Sequence, residues 1–314
     1  MTHAPVKSFR ELLDHARTMN TPRMAVAAAG ESAVIAAVAD AVKEGLVEPV
    51  LIGAGGVIRD IADQHGSCLA KTEVIDIPDA SEASAMAVRL VHEGKAELVM
   101  KGLVTTKEFV RAILNQEFGI RRGRPMSHVA VLESPDQSRL MLLTDSGINI
   151  RPRFNRKVAI VRNAILVANA LGIAVPKVAV IAAVEKVELP AMPPTLDAEL
   201  LRRMGESGRL GPCIVDGPLA MDNALERHTA EIKGRTSPVA GNADIIVTPD
   251  IETGNAVYKA IRYMARREIG GVIIGGAAPA VVTSRSDSAA CKLYSIALGV
   301  LVAHQERLSE HAVS

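Results

Sequence analysis

The chain has 314 residues, of which 36 are Lys or Arg and 35 are Asp or Glu, for a formal charge of +1. That near balance removes any global electrostatic case for nucleic acid or an anionic membrane surface as a partner. Aromatic residues are 2% of the chain and Trp is absent, which also argues against modules that stack bases on exposed rings.

Two domains of ~150 residues each fit this length. The opening stretch, MTHAPVKSFRELLDHARTM, has no apolar h-region, so no signal peptide is expected. Apolar runs at 24–28, 49–53, 73–77, 97–101, 128–132, 140–144, 177–183, 212–216, 244–248 and 271–275 predict strands. Between most of them lie segments with apolar residues at i, i+3, i+4 spacing, such as 32–44 and 82–93, which predict helices. The longest apolar stretch, 163–184, contains Asn169, Pro176 and Lys177 and reads as a helix followed by a strand, not a membrane span. Around 148–156 the chain turns polar through RPRFNRK, and around 275–279 the run GGAAPA leads towards a last helix. These junctions suggest a first α/β domain over 1–149 plus 278–314 and a second over 150–277. Repeated βα units, rich in Ala, Val, Ile and Leu, predict open, mostly parallel sheets with helices on both faces. Cys68, Cys213 and Cys291 lie far apart with no C-x-x-C pair. Neither structural zinc nor a disulfide framework is expected, in keeping with a cytoplasmic setting.

In open parallel sheets ligands bind beyond the carboxyl ends of strands, and three strand-to-helix transitions carry unusual polar residues. In ELVMKGLVTTKEFVRAIL a strand ends at Lys101, Gly102 permits a tight turn, and Thr105 or Thr106 caps a helix that carries Arg111. Free N–H groups, a hydroxyl and two cations would suit an anion; an ordinary capped helix with solvated cations is the other reading. In ADIIVTPDIETGNAVYKAIRYMARR a helix from Gly254 would put Asn255, Lys259 and Arg262 on one face and Val257, Ile261 and Met264, facing inward, on the other. The polar stripe then faces either a cleft or solvent. In GVIIGGAAPAVVTSRSDSAACKLYSIALGVL the cluster Thr283, Ser284, Arg285, Ser286 and Asp287 separates a buried strand from a nearly all-apolar helix. Charges wedged between buried elements cost desolvation unless engaged. A helix cap would need only Ser286 or Asp287, which leaves Ser284 and Arg285 to be explained by function.

Two basic clusters, Arg121, Arg122, Arg124 and Arg151, Arg153, Arg156, Lys157, are either anion sites or solvated faces. GAGGVI at 53–58 follows a strand but lacks the third glycine of a dinucleotide fingerprint. No P-loop, nucleophile elbow or H-E-x-x-H occurs, and the eight histidines show no ligand spacing. His128, opening an apolar strand, reads as a core or rim residue.

Taken in order, KGLVTT, SHVAVLE, TDSGINIRP, the stretch from EKV through PTLDAELLRRM to IVDGPLAMDNA, ADIIVTPDIETGNAVYKA and TSRSD resemble the phosphate acetyl/butyryltransferase family. The resemblance implies two α/β/α domains with mostly parallel sheets and an interdomain cleft, similar to isocitrate and isopropylmalate dehydrogenases, and a homodimer. It implies the reaction acyl-CoA plus phosphate giving acyl phosphate plus CoA, with CoA and phosphate as substrates and no metal or redox cofactor. By resemblance Ser284 and Arg285 contact the reacting thioester, Arg111 belongs to the phosphate site, and Arg262 falls about where another active-site arginine does. Lys101, Thr105, Thr106, Asn255 and Lys259 join them as candidates for binding phosphate or CoA. Asp287 is the carboxylate nearest to the catalytic aspartate of the acetyl branch, at a spacing that branch does not share. TSRSD and DGPLAMDNA are more similar to the butyryl branch. An NAD- and metal-dependent decarboxylating dehydrogenase of the same fold would need clustered aspartates. A catalytically silent regulator that binds CoA or acyl phosphate would dispense with Ser284 and Arg285.

Overall fold

The computed structural model describes residues 4–65 and 67–311. From its first helix the chain runs α1 (Phe9–Ala16), β1 (Arg23–Ala27), α2 (Ser32–Lys43), β2 (Glu48–Gly53), α3 (Gly55–Asp63), β3 (Glu73–Asp76), α4 (Ala80–His92), β4 (Leu98–Lys101) and α5 (Thr106–Ile113). β1 is buried from Met24 onward and β4 along its whole length, the continuous apolar pattern of strands covered on both faces. Asp79 starts α4 by accepting a hydrogen bond from the Glu82 amide at 2.8 Å, satisfying one of the helix's orphan donors.

Residues Pro125–Arg267 form a compact unit of their own, which the described residues up to Ser8 also join. Val6 donates from its amide to the Leu171 carbonyl at 2.9 Å. This central unit contains β5 (Ser127–Glu133), β6 (Leu140–Thr144), α6 (Phe154–Ala170), β7 (Lys177–Ile181), α7 (Pro193–Glu206), β8 (Ile214–Leu219), α8 (Met221–Leu225), α9 (Arg227–Ile232), β9 (Ile245–Val247) and α10 (Ile251–Lys259), with a π-helical segment at Ala260–Met264. Its strands are ordered β5-β6-β9-β7-β8. β5 and β6 pair antiparallel, and β6–β9, β9–β7 and β7–β8 pair parallel.

Beyond Arg267 the chain adds β10 (Ile269–Ile274), β11 (Ala280–Val281) and α11 (Ala289–His311) to the unit begun by α1. The order in this split unit is β3-β2-β1-β4-β11-β10. β11 runs parallel to β4, with Val281 opposite Met100, and antiparallel to β10. α11 buries Ile296, Ala297, Leu298, Val300, Leu301 and Val302, as an all-round apolar helix must. Fully burying each large aliphatic side chain contributes ~1.5–3 kcal/mol.

All ten expected strands are present within a residue or a few of their expected ends, and β11 is an addition. The units divide at Arg124/Pro125 and Arg267/Glu268, a different division from one at 149 and 277. The hairpin β5–β6 goes with the central unit because β6 pairs with β9, Leu142 facing Ile245. The polar run after β6 is no linker. The Asp145 carboxylate accepts from the amides of Gly147 (2.9 Å), Ile148 (3.0 Å) and Asn149 (3.1 Å), and Arg156 donates to Asn149 Oδ1 at 3.0 Å. GGAAPA, likewise, turns the chain from β10 into antiparallel β11 before the last helix begins. The stretch 163–184 forms the end of α6 and all of β7. Among the described residues no helix is long and apolar enough to cross a membrane.

Candidate functional site

In the split unit the loops after β1, β4 and β11 emerge at the same, carboxyl edge of a parallel array. Gly102 lets two of them touch. Its amide donates to Ala27 O at 2.8 Å and the Leu103 amide to Ala28 O at 2.7 Å. A Cβ on Gly102 would come within 2.4 Å of Ala28 O, a separation no side chain tolerates.

Lys101, only 4% exposed, turns its ammonium back on its own loop. Nζ donates to Gly102 O at 3.1 Å and Val104 O at 3.2 Å. Burial pushes its pKa down, and the Arg285 and Lys292 charges act the same way against those of Glu31 and Asp287. Thr105, not Thr106, caps α5. Its hydroxyl oxygen accepts the Glu108 amide at 3.2 Å while the Thr105 amide donates to the Glu108 carboxylate at 3.2 Å, a capping box. The Thr105 hydroxyl also donates to that carboxylate at 2.5 Å and holds it below the ordinary glutamate range. Thr106 and Arg111 are exposed at the first and last turns of α5.

The stretch TSRSD forms a tight turn. Ser284, Arg285 and Ser286 are exposed, while Asp287 is 6% exposed. Asp287 Oδ2 accepts the Ser284 amide at 2.6 Å, and the Asp287 amide donates to Ser284 O at 3.1 Å. Oδ1 of Asp287 is buried without a hydrogen-bond partner among the described residues. Beneath the turn lies Lys292, 1% exposed, donating to Asp287 O at 2.7 Å and Ser284 O at 3.2 Å. The Ser284 and Ser286 hydroxyl oxygens are 3.0 Å apart. Asp287 therefore closes the turn, and the hydroxyl of Ser288 meets the helix, accepting from the Cys291 amide at 3.1 Å. Sequence reasoning passed over Lys292. The signal available was one lysine inside the apolar run CKLYSIALGVL.

In the central unit Asp250 caps α10 by accepting from the Thr253 amide at 2.9 Å and its hydroxyl at 2.7 Å. Asn255 donates from Nδ2 to Ser146 O at 3.1 Å, and the Ser146 hydroxyl lies 2.8 Å from His128 Nδ1. His128 is buried, the core side of the expected core-or-rim reading. Lys259 is exposed, its ammonium 5.7 Å from the centroid of the Tyr263 ring. Arg262 makes a long 3.5 Å hydrogen bond to Arg267 O.

The expected single polar face is broken because Ala260–Met264 winds as a π-helix, whose i→i+5 bonding shifts the phase of everything beyond Lys259. Met264, expected inside, is 83% exposed for the same reason. Val257 and Ile261 are half-buried and line a groove of about 460 Å³ with Leu132, Met141, Met221 and Ile246. A second groove of about 660 Å³ lies beyond the carboxyl ends of β7 and β9, between Met192, Pro193, Thr253 and Val257. The EKV and DGPLAMDNA motifs meet nearby. Glu185 accepts from Asn223 Nδ2 and, at 3.3 Å, from Lys233, which also reaches Asp222 at 2.8 Å. Among the described residues no group of three or more His, Cys, Asp or Glu could hold a metal ion, and all three cysteines are free thiols.

Residues 78–300 match the family described as phosphate acetyl/butaryl transferase. The phosphate butyryltransferase of Clostridium acetobutylicum is 45% identical over 298 residues, which are 95% of this chain and 99% of that protein. The phosphate acetyltransferase of Thermotoga maritima is 41% identical over 281 residues, 90% of this chain and 95% of that one. Among solved structures, a branched-chain phosphotransacylase from Enterococcus faecalis V583 is similar with a TM-score of 0.78 and 28% identity, over 90% of this chain and 99% of its own.

Proposed function

Because this chain belongs to the phosphate acetyl/butyryltransferase family, an acyltransferase acting between coenzyme A and phosphate, we propose that the acyl group changes hands at the turn Ser284–Asp287. The observation that carries this reading is the turn itself. It exposes a hydroxyl and a guanidinium at the carboxyl edge of β11, over a buried carboxylate and a buried ammonium.

A phosphate oxygen attacks the thioester carbonyl carbon, the C–O bond forms, the C–S bond breaks, and CoA departs as thiolate. Charge builds on the carbonyl oxygen, where the Ser284 hydroxyl and the Arg285 guanidinium stabilise it without reorganising. Arg111 receives phosphate, because a planar fork matches two phosphate oxygens. Thr106 offers phosphate the open amide end of α5, whereas Thr105 contributes by building that end, its hydroxyl being engaged with Glu108. Lys101 supplies positive potential from below, which favours phosphate and the leaving thiolate alike.

In the reverse direction a free thiol is only a few per cent ionised near neutral pH. Oδ1 of Asp287, the carboxylate oxygen without a partner among the described residues, is the acceptor we assign to its proton. In the central unit, Lys259 and Arg262 are assigned to anionic groups of CoA, with Asn255 ordering the start of their helix through Ser146.

We extend the reading to an isocitrate/isopropylmalate dehydrogenase-like pair of α/β/α domains, to a homodimer, and to a cytoplasmic setting, which the three free thiols suit. Neither a metal nor a nicotinamide is required by the steps above. The test is CoA release from acetyl-, propionyl-, butyryl- and longer acyl-CoAs, with and without phosphate and with EDTA. Phosphate-dependent release that survives EDTA is expected. Activity abolished by the chelator and restored by a divalent ion would overturn the metal-free reaction, and light scattering that finds a monomer at micromolar concentration would overturn the dimer.

A further inference from the structure

We propose that Lys292 is a positioning residue for acyl transfer, its buried ammonium holding the Ser284–Asp287 turn in the shape that presents Ser284 and Arg285. The proposal rests on the assignment of that turn to the reaction.

Lys292 lies in the first turns of α11 and is 1% exposed. An ammonium taken out of water is costly unless its donors are fully used. α11 would be better served at this place by an apolar side chain of the same length. What the charge gains is specific: Asp287 O at 2.7 Å and Ser284 O at 3.2 Å, the carbonyls at the two ends of one turn. Ser284 O also accepts the Asp287 amide at 3.1 Å, and the Ser284 amide donates to Asp287 Oδ2 at 2.6 Å. Ammonium, carboxylate and backbone thus form one clasp, and every bond in it ends on Ser284 or Asp287. Removing the cation takes the donor from the Asp287 carbonyl and leaves Ser284 O with the Asp287 amide alone. The turn then relaxes, and the two exposed side chains it carries lose their fixed direction. Geometry of this kind affects turnover more than ground-state binding.

Lys292→Met keeps the volume and removes the charge. Wild type, Lys292→Met, Arg285→Ala and the double variant are compared for phosphate-dependent CoA release, with thermal unfolding to verify the fold. A tenfold or greater fall in kcat for Lys292→Met is expected, with KM for phosphate changed by less than about threefold. In the Arg285→Ala background the same substitution should cost less than it does alone, since only Ser284 is left for the clasp to present. Lys292→Gln, which retains a donor without the charge, should fall between wild type and Lys292→Met, and it serves alone if Lys292→Met does not fold.

Wild-type kcat in a folded Lys292 variant overturns the proposal. So do losses that multiply in the double variant, the mark of a purely structural role. If Arg285→Ala retains wild-type turnover, the assignment of the turn falls and this proposal with it. An impaired Arg285→Ala beside an unimpaired Lys292→Met defeats the Lys292 role alone.

Discussion

Gly254 and Asp145 lie so close that a Cβ on Gly254 would come within 2.3 Å of the Asp145 carbonyl oxygen and 2.8 Å of the Thr248 hydroxyl. The first turn of α10 is pressed against the loop that leaves β6, and only the missing side chain permits it. Gly254→Ala has to push the two apart and lengthen the Asn255–Ser146 hydrogen bond. Overpacking of this sort costs ~1–3 kcal/mol. A fall of several degrees in Tm is expected, and an unchanged Tm would refute the contact.

Ser284→Ala and Arg285→Ala should each lower turnover while leaving Tm unchanged, since both side chains are exposed. Loss of one donor to a developing oxyanion typically costs ~10²–10³-fold. Near-wild-type turnover in Arg285→Ala, with or without the same result for Ser284→Ala, would remove the turn from the mechanism.

Arg111→Ala should act differently. Its assigned role is to hold phosphate before reaction, so the apparent KM for phosphate should rise while kcat changes little. A variant with unaltered KM and reduced kcat would move Arg111 from binding into the transition state.

Glu199 on α7 offers a pH-dependent check on local stability. The hydrogen bond from Arg202 at 2.8 Å, joined by one from Arg203, pulls its carboxyl down to about 2 from an ordinary value of 4.5. A folded-state pKa below the unfolded one contributes stability above pH 4.5 that is lost as pH falls towards 2. Arg203 is mostly exposed, so water screens its share, and the group is worth ~0.5–1 kcal/mol. Glu199→Gln should therefore be less stable than wild type at pH 6, with the gap narrowing below pH 4.5 and closing only as pH nears about 2. A gap that stays constant over this range would show that the ion pairs contribute nothing.

Acyl length is the last expectation. The TSRSD and DGPLAMDNA motifs favour a pocket that takes butyryl at least as well as acetyl. Each methylene buried contributes ~0.8 kcal/mol, so two give about a tenfold preference. The ratio of kcat/KM for butyryl-CoA to that for acetyl-CoA at saturating phosphate should lie between one and about ten on this reckoning. A ratio far below one would place the enzyme with the acetyl-specific members and leave the reaction class standing.

The strands were legible because each is an apolar run bounded by polar turns, and burial on both faces writes that pattern directly into the sequence. β11 was not, since Ala280–Val281 is too short to show a period and owes its existence to β4 on one side and β10 on the other. Helical phase was readable as far as Lys259 and failed at Met264, because a π-helical segment leaves no mark in the spacing of apolar residues. Ser284 and Arg285 stood out as polar residues with no packing reason to be there. Asp287 stood out too, but its use, closing the turn through the Ser284 amide, depends on backbone geometry that composition does not encode. Lys292 was hidden in the opposite way. It sits on a helix whose neighbours all say core, and a single charge in such a helix becomes informative only when its partners are known.

The split unit holds Phe9–Arg124 and everything described from Glu268 onward, while Pro125–Arg267 lies between them in the chain. A ribosome delivers these pieces in order. The central unit's long segment is finished while its neighbour still lacks β10, β11 and α11, and β4 then has an unpaired edge where β11 belongs. The turn that carries Ser284 and Arg285 is made with that closing piece, and Lys292, which clasps it, follows only five residues after Asp287. On the roles proposed above, a nascent polypeptide stopped short of α11 already carries Arg111 on α5 but lacks Lys292, whose ammonium bonds both ends of the Ser284–Asp287 turn.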